Sequence, residues 1–154
     1  ILMNKFLLLL FISLTGYCFP IKGATIISSQ SGEWNNPLTW QGGQIPTGDD
    51  LAVVESGTTV TVSTLGGSYV AVCKALTING ILTYSNNRVV IGSSNPFGSP
   101  SSGGNAPLTV NGTLTISGDY VNSFYHNGNV VFNAGSTFNM TSGFMQVNGT
   151  RIIP

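Results

Sequence analysis

The chain has 154 residues and a formal net charge of zero, and only 6% of the residues are charged, against roughly 25% in an ordinary globular domain. Gly, Ser, Thr and Asn together account for 68 of the residues, a composition that favours turns and strands over long helices. Because five basic residues balance five acidic ones, no basic patch is expected and nucleic acid is not expected as a partner.

Residues 1–23 follow the order of regions found in a secretory signal peptide. Lys5 precedes an apolar run over residues 6–14, and small and helix-breaking residues come after it. This run has about nine residues, whereas a membrane-spanning helix needs about twenty, so no stable membrane span is expected. Cleavage is predicted after Cys18 or after Gly23, and the pattern alone does not choose between them. The mature protein is therefore expected to be secreted or displayed on the surface of a bacterial cell.

The segment from Gly32 to Val62 resembles the N-terminal part of the extracellular domain that is named for its eight glycines, and the opening segments of bacterial surface β-helix proteins. The residues that carry the resemblance are Trp34, Pro37-Leu38-Thr39-Trp40, Gly42-Gly43, Pro46, Gly48-Asp49-Asp50, Val53, Gly57-Thr58-Thr59-Val60, Leu76, Ile78, Gly80 and Leu82. The resemblance implies a secreted or surface-exposed parallel β-helix, often the first module of a longer protein. It implies no single activity, since the family includes carbohydrate-associated proteins, receptors and adhesins.

Two groups of residues in this segment suggest binding functions. Trp34 and Trp40 would stack on sugars if their rings were exposed, but we predict that both plug the N-terminal end of the core. The second group is Asp49 and Asp50 with Glu33 or Glu55, which could hold calcium, an ion that takes several oxygen ligands. We favour a solvated turn over a calcium site at this position.

The body of the chain repeats itself. Residues 76–85 (LTINGILTYS) match residues 108–117 (LTVNGTLTIS) at seven of ten positions, and looser copies begin at Val130 and Met145. Each copy combines a short alternating strand, an Asn-Gly or Asn-Ala-Gly turn and a second short strand. Such a unit is too small to bury its own apolar face, so stacking of successive units is expected to make the core.

The copies predict an all-β solenoid of about four coils, and with the resemblance they predict a right-handed parallel β-helix. The predicted coils start near Leu51, Leu76, Leu108 and Val130, with spacings of 25, 32 and 22 residues. Residues 92–107 are rich in Gly, Ser and Pro, so we predict an inserted loop that explains the long spacing. Residues 24–50 are predicted to form an N-terminal cap and residues 51–154 the coils, with further coils in a longer chain. The apolar residues expected at the uncovered end of the stack are Phe132, Phe138, Met140 and Val147.

Alternation along each strand assigns side chains to faces. The predicted inward positions of the three copies are Leu76, Ile78, Leu82 and Tyr84, then Leu108, Val110, Leu114 and Ile116, then Val130, Phe132, Phe138 and Met140. The predicted outward positions are Thr77, Thr83, Thr109 and Thr115. Asn79, Asn111 and Asn133 recur at one corner, where asparagine tolerates left-handed backbone and where we predict a ladder of amide hydrogen bonds. An antiparallel β-sandwich is the alternative, since Asn-Gly turns also close hairpins.

Two further side chains carry possible chemistry. Cys73 remains as the one cysteine after residues 1–23 are removed, and its alternating context predicts a small buried side chain rather than a reactive thiol or a disulfide. His126 lies beside Tyr125 in a predicted turn, and we predict that it is an exposed loop residue, because a histidine without a positioned partner is seldom a catalyst. No catalytic, cofactor-binding or metal-ligating residue is assigned.

The sequence thus predicts a secreted or cell-surface β-helical module with a structural or adhesive role, and no enzymatic activity. It would make weak multivalent contacts along a long surface, with extracellular polysaccharide or cell-surface components as partners. The alternative is an N-terminal fragment of a polysaccharide-degrading β-helix lyase or hydrolase whose catalytic residues lie in later coils. A third hypothesis is a solid-surface binder that uses the outward Thr pairs, whose columns are expected to end at Val131 and Gln146.

Overall fold

A computed structural model of the chain describes residues 23–63, 69–92, 106–118, 123–126, 128–147 and 151–152. Nearly all of the predicted signal peptide and most of the predicted loop over residues 92–107 lie outside these ranges. The described chain is all-β, with short strands and two three-residue 3₁₀ turns. Gly, Asn or Ser follows most of the strands directly, which explains why no described strand is long.

The elements are listed here in chain order with their bounds. The first layers contain β1 (Thr25–Ile27), β2 (Gly32–Glu33), the 3₁₀ turns η1 (Pro37–Thr39) and η2 (Gln41–Gly43), β3 (Leu51–Val54), β4 (Thr59–Val62) and β5 (Val70–Cys73). The middle contains β6 (Ala75–Ile78), β7 (Ile81–Tyr84), β8 (Arg88–Ile91), β9 (Leu108–Val110), β10 (Thr113–Ser117) and β11 (Ser123–His126). The last elements are β12 (Val130–Phe132), β13 (Thr137–Ser142), β14 (Phe144–Val147) and β15 (Arg151–Ile152).

The strands form three parallel sheets that the chain visits in rotation. Sheet A has the order β1-β3-β6-β9-β12-β15, sheet B has β2-β4-β7-β10-β13, and sheet C has β5-β8-β11-β14. Three consecutive strands, one from each sheet, make a layer: β3 to β5, β6 to β8, β9 to β11, and β12 to β14. Each strand therefore pairs with its counterpart in the preceding and following layers rather than with its neighbour in sequence.

The strand register confirms the stacking predicted from the repeats. Leu76 lies opposite Leu108, which lies opposite Val130, and Leu82 lies opposite Leu114. The predicted inward side chains that are buried in one hydrophobic core are Leu76, Ile78, Leu82, Tyr84, Leu108, Val110, Leu114, Ile116, Val130 and Phe132. Local alternation and the repeat together were therefore sufficient to identify the core of the middle layers.

Parallel pairing removes the antiparallel β-sandwich alternative. Every pair of named strands in the described ranges is parallel. The strands β6 and β7, which a hairpin would pair, belong to sheets A and B. The Asn79-Gly80 step therefore turns the chain from one sheet to the next instead of closing a hairpin.

Asn79, Asn111 and Asn133 form the predicted ladder at the corner between sheets A and B. Asn111 Nδ2 donates to Asn79 Oδ1 at 2.8 Å, and Asn133 Nδ2 donates to Asn111 Oδ1 at 2.6 Å. None of these three residues has a positive φ, so the ladder does not use the left-handed backbone that asparagine tolerates. Asparagine is therefore needed at this corner for its side-chain amide and not for a left-handed backbone conformation.

The glycine that follows each of the first two ladder residues allows the layers to approach closely. A Cβ on Gly80 would lie 2.3 Å from the Glu55 carbonyl oxygen, and a Cβ on Gly112 would lie 2.0 Å from the Gly80 carbonyl oxygen. Neither glycine has a positive φ. The corner therefore needs glycine for space between successive backbones, which explains the Asn-Gly pair in both copies.

Residues 24–50 also contribute strands to the stack. β1 pairs with β3 in sheet A, and β2 pairs with β4 in sheet B. In the register of sheet A, Leu51 lies opposite Ala75 and Ala52 lies opposite Leu76. Ala52 is buried, like Leu76 opposite it. Leu51 lies one residue away on the same strand and therefore points to the opposite face, where it is 41% exposed.

The inward side chains of β13 are exposed at the far end of sheet B. Phe138 lies opposite Leu114 and Met140 lies opposite Ile116, yet Phe138 is 40% and Met140 is 46% exposed. The exposure predicted for these two residues is confirmed. Phe132 differs from the prediction, because it is buried. The centroid of its ring lies 5.3 Å from the centroid of the Phe138 ring.

Candidate functional site

Sheet B presents two threonine-rich columns of side chains on its outward face. One column contains Thr59, Ile81, Thr113 and Thr137. The other contains Glu33, Thr61, Thr83, Thr115 and Asn139. These columns alternate along each strand with the buried positions Val60, Leu82 and Leu114, so the burial of the apolar set directs the threonines away from the core.

The spacing of the columns follows from the geometry of a parallel sheet. Neighbouring strands lie about 4.8 Å apart, and two residues along a strand span about 6.6 Å. Thr61, Thr83 and Thr115 are half-buried by their neighbours in the column, and Asn139 is exposed. The face is therefore a regularly spaced array in which threonine predominates and which Ile81, 40% exposed, interrupts in the first column.

Charge is confined to the N-terminal edge of this face. Glu33 is half-buried, and Ser63 donates to its carboxylate through the backbone N–H at 3.2 Å and through Oγ at 2.8 Å. The Tyr69 hydroxyl donates to the same carboxylate at 3.2 Å. Burial and the negative charge of Glu33 raise the pKa of Tyr69 above its usual range, so Tyr69 stays a neutral donor. The threonine columns beyond Glu33 are uncharged.

The outward faces of the other two sheets have different chemistry. In sheet A the corresponding column runs Val53, Thr77, Thr109 and Val131, so the threonine pair ends at Val131 as predicted. In sheet C the column runs Val72, Val90, Tyr125 and Gln146. Gln146 lies in sheet C and does not end a threonine column, so that part of the prediction is wrong. Arg88 of this sheet lies 4.5 Å from the centre of the Tyr125 ring.

Sequence reasoning missed the extent of the threonine array. Thr83 and Thr115 were identified as outward, but Thr59 and Thr61 lie before the recognised copies. The available signal was the alternating stretch TTVTV over residues 58–62, which has the same apolar and polar alternation as the copies. Pairing of β4 with β7 places Thr61 in the same column as Thr83.

The two tryptophans close the N-terminal end of the core, as predicted. Trp34 and Trp40 are 1% and 2% exposed, and their rings meet edge to face with centroids 5.0 Å apart. The Trp40 indole N–H donates to the Trp34 carbonyl oxygen at 2.7 Å. Thr39 supports this arrangement by donating its hydroxyl to the Glu33 carbonyl oxygen at 2.8 Å. Neither indole presents a free ring face, so the sugar-stacking hypothesis is wrong.

The acidic residues considered for calcium do not form a metal-binding cluster in the described chain. Asp50 is buried and accepts hydrogen bonds from Ala24 and Thr47. Asp49 and Glu55 are exposed. Within the described ranges, no three His, Cys, Asp or Glu side chains converge in a way that would hold a metal ion.

Cys73 and His126 occupy inward positions of sheet C. Cys73 is fully buried, as predicted, and burial together with the charge of Asp50 raises the pKa of its thiol. The prediction that His126 is an exposed loop residue is wrong, because His126 ends β11 and is fully buried opposite Ile91. Its alternation with the buried Phe124 places it inward, and the turn begins after it.

The His126 ring is held by the backbone that follows it. Nε2 lies 3.1 Å from the Asn129 carbonyl oxygen. Burial lowers the pKa of His126, although hydrogen bonding to the backbone of Asn129 and Gly128 opposes this shift. His126 is therefore a neutral core residue at neutral pH.

No protein-family model, curated protein or solved structure with which the chain was compared matches it. None of the helical segments in the described ranges is long and apolar enough to cross a membrane. The outward face of sheet B therefore stands as the candidate site on its geometry and chemistry alone.

Proposed function

We propose that the three sheets wind as a right-handed parallel β-helix in which each layer is one coil. The strand order supports this proposal, because the chain adds one strand to each sheet in every layer. Connections between parallel strands of the same sheet are right-handed in about 98% of cases, which favours the right-handed sense. A crystal structure would test the handedness directly, and a left-handed winding would contradict it.

We further propose that the protein is exported and acts outside the cytoplasm. The basic, apolar and small-residue regions over residues 1–23 support export. Cell fractionation after expression of the whole chain is the test. We expect a shortened product outside the cytoplasm, and full-length precursor retained in the cytoplasm would contradict the proposal.

The function that we propose for the exported module is adhesion to neutral extracellular polysaccharide through the outward face of sheet B. The observation that supports it is the pair of threonine-rich columns, uncharged beyond Glu33, in register across successive layers. Each threonine hydroxyl both donates and accepts a hydrogen bond, which matches the hydroxyl groups of a sugar chain. The absence of basic residues from these columns favours a neutral polysaccharide over an acidic one.

The expected binding is weak at each contact and multivalent along the face. A single neutral hydrogen bond exchanged with water contributes only about 0.5–1.5 kcal/mol. An extended polymer contacts several layers at once, so the contacts add without any deep pocket. The affinity should therefore depend on how many threonines are present rather than on any one of them.

Matched threonine-to-valine variants test this proposal. Thr83→Val with Thr115→Val removes two hydroxyls from sheet B while the β-branched shape stays. Thr77→Val with Thr109→Val makes the same change on sheet A and serves as the control. We expect retention on insoluble cellulose, chitin or β-1,3-glucan to fall roughly tenfold for the sheet B pair and to stay unchanged for the sheet A pair.

Three outcomes would contradict adhesion through sheet B. The first is an equal loss of retention in both variant pairs, and the second is no retention of the wild-type protein on any of these polysaccharides. The third is release of reducing ends or unsaturated sugars from the same substrates, which would support the lyase or hydrolase hypothesis instead.

A further inference from the structure

The Asp50 carboxylate is buried and is surrounded by neutral donors. It is 4% exposed. Its Oδ1 accepts from the Ala24 backbone N–H at 2.7 Å, and its Oδ2 accepts from Thr47 through the backbone N–H at 2.9 Å and through Oγ1 at 2.6 Å. Burial raises the pKa of Asp50, but these hydrogen bonds outweigh it and hold the pKa below the usual value. The group therefore remains an anion, and a buried anion is costly without a positive partner.

Hydrogen bonds at both its N–H and its carbonyl oxygen hold the backbone of Ala24 in place. Its N–H binds Asp50, and its carbonyl oxygen accepts from the Leu51 N–H at 2.8 Å. The preceding residue, Gly23, lies so close to the Asp49 carbonyl oxygen that a Cβ would come within 1.5 Å of it. The bond between Gly23 and Ala24 is also one of the two cleavage points predicted from the sequence.

We propose that export processing cuts between Gly23 and Ala24, and that the new α-ammonium of Ala24 forms an ion pair with Asp50. This inference rests on the proposed export of the protein. In the cut, water adds across the peptide bond, so that Gly23 leaves with a carboxylate and Ala24 keeps the nitrogen as an amine, which takes up a proton to become an ammonium. Processing would thus supply a positive partner for the buried carboxylate, whose hydrogen-bond donors in the described chain are all neutral.

The geometry needs no rearrangement for this pair to form. Ammonium to carboxylate hydrogen bonds are typically about 2.7–2.9 Å long, and Ala24 N already lies 2.7 Å from Asp50 Oδ1. Cleavage after Cys18 would instead leave residues 19–23 attached and keep the Ala24 nitrogen as a neutral amide. The two cleavage points therefore predict proteins with different stability.

The pH dependence of the pair is distinguishable from that of its neighbours. An unperturbed α-ammonium has a pKa of about 7.7–8.0 and Lys about 10.4. Three titratable groups of the described chain lie near the pair. Asp49 precedes Asp50 in the sequence, and the thiol of Cys73 has a pKa that burial and the charge of Asp50 raise. Lys74 donates its backbone N–H to the Asp50 carbonyl oxygen at 2.8 Å. Pairing with Asp50 should raise the α-ammonium pKa, so the extra stability should be lost as the pH rises through that raised value.

N-terminal sequencing of the exported protein is the first test, and we expect the sequence to begin at Ala24. The second test is a cycle of four purified proteins that begin at Ala24 or at Phe19, each with Asp50 or with Asp50→Asn. We expect the Ala24 form to have a folding equilibrium constant roughly tenfold larger than the Phe19 form at pH 7, and the difference to disappear with Asp50→Asn.

Acetylation of the Ala24 amine provides a readout if Asp50→Asn fails to fold. The acetylated protein should lose the tenfold advantage while Asp50 stays in place. An exported N-terminus at Phe19, or equal stability of the free and acetylated forms, would overturn the inference. An exported protein that begins at Phe19 would still leave the proposed export and adhesion intact, so the two failures are distinguishable.

Discussion

The two ends of the stack of layers differ in how their inward side chains are covered. At the N-terminal end, Trp34 and Trp40 are almost completely buried and meet edge to face. At the other end of sheet B, Phe138 and Met140 continue the buried columns of Leu114 and Ile116 but remain substantially exposed. The comparison shows that alternation determines the direction of a side chain, whereas burial requires a neighbour on both sides along the stack.

The physical reason is that a stacked fold is stabilised mainly between adjacent layers. Its free energy of unfolding is approximately the sum of the layers and of their nearest-neighbour contacts. A strand such as β13, which has one strand partner in the described part of sheet B, makes half of those contacts. The following predictions test whether the two ends differ in the way that this requires.

Truncation of a tryptophan should have the largest effect. We expect Trp34→Ala to lower the free energy of unfolding by about 3–5 kcal/mol, because it removes a fully buried ring and leaves the Trp40 ring without its edge-to-face partner. Phe138→Ala should cost about 1 kcal/mol, because much of that ring is already in water. Urea unfolding of both variants measures the difference, and equal costs would contradict the asymmetry of the ends.

Hydrogen exchange should show the same asymmetry without mutation. We expect the backbone amides of β13 to exchange at least about tenfold faster than those of β4 and β7, because the outer strand opens without disrupting a second interface. Residue-resolved exchange measured by NMR provides the comparison. Uniform protection from β4 to β13 in a monomer would mean that the β13 end is covered in solution.

Acid should weaken the layer that contains His126 before it affects Asp50 near the N-terminal end. Burial lowers the pKa of His126 from its ordinary value of 6.5, so the unfolded chain binds a proton where the folded chain does not. Stability is therefore lost as the pH falls from about 6.5 toward the folded-state pKa. For Asp50, burial is outweighed by hydrogen bonding, which holds the pKa below its usual value, so the stability that it contributes is lost at more acidic pH, as the carboxylate is protonated.

The measurement is urea unfolding between pH 7 and about pH 5 for the wild-type protein and His126→Leu. His126 is the one histidine of the chain, so we expect the variant to be insensitive to pH over this interval. The slope rather than the absolute stability is compared, since leucine also changes the packing. An equal slope in both proteins would show that His126 is not the group responsible.

The asparagine ladder should give the smallest effect. Asn111 makes two ladder hydrogen bonds, whereas Asn133 makes one in the described chain. We expect Asn111→Ala to cost about 0.5–1 kcal/mol and Asn133→Ala about half of that, because the bonds are exposed to water. Thermal unfolding of the two variants would measure the order, and a larger cost for Asn133 would contradict a ladder in which each bond contributes equally.

The sequence by itself determined the features that depend on local periodicity. The match between residues 76–85 and 108–117 identified the layers, and alternation within each copy identified the side chains of the core. It also placed Asn79, Asn111 and Asn133 at one corner. These inferences succeeded because the direction of a side chain on a strand depends on its own position within a few residues.

Only the tertiary structure decided which residues become neighbours across layers. Thr61 and Thr83 share a column, and Ala24 lies against Asp50, although each pair is separated by more than twenty residues of sequence. His126 is buried because it is the last residue of strand β11, where the sequence pattern indicated a turn. The order in which the sheets are visited and the extent of each strand set these contacts, and both follow from the balance of packing over the whole stack rather than from any local pattern.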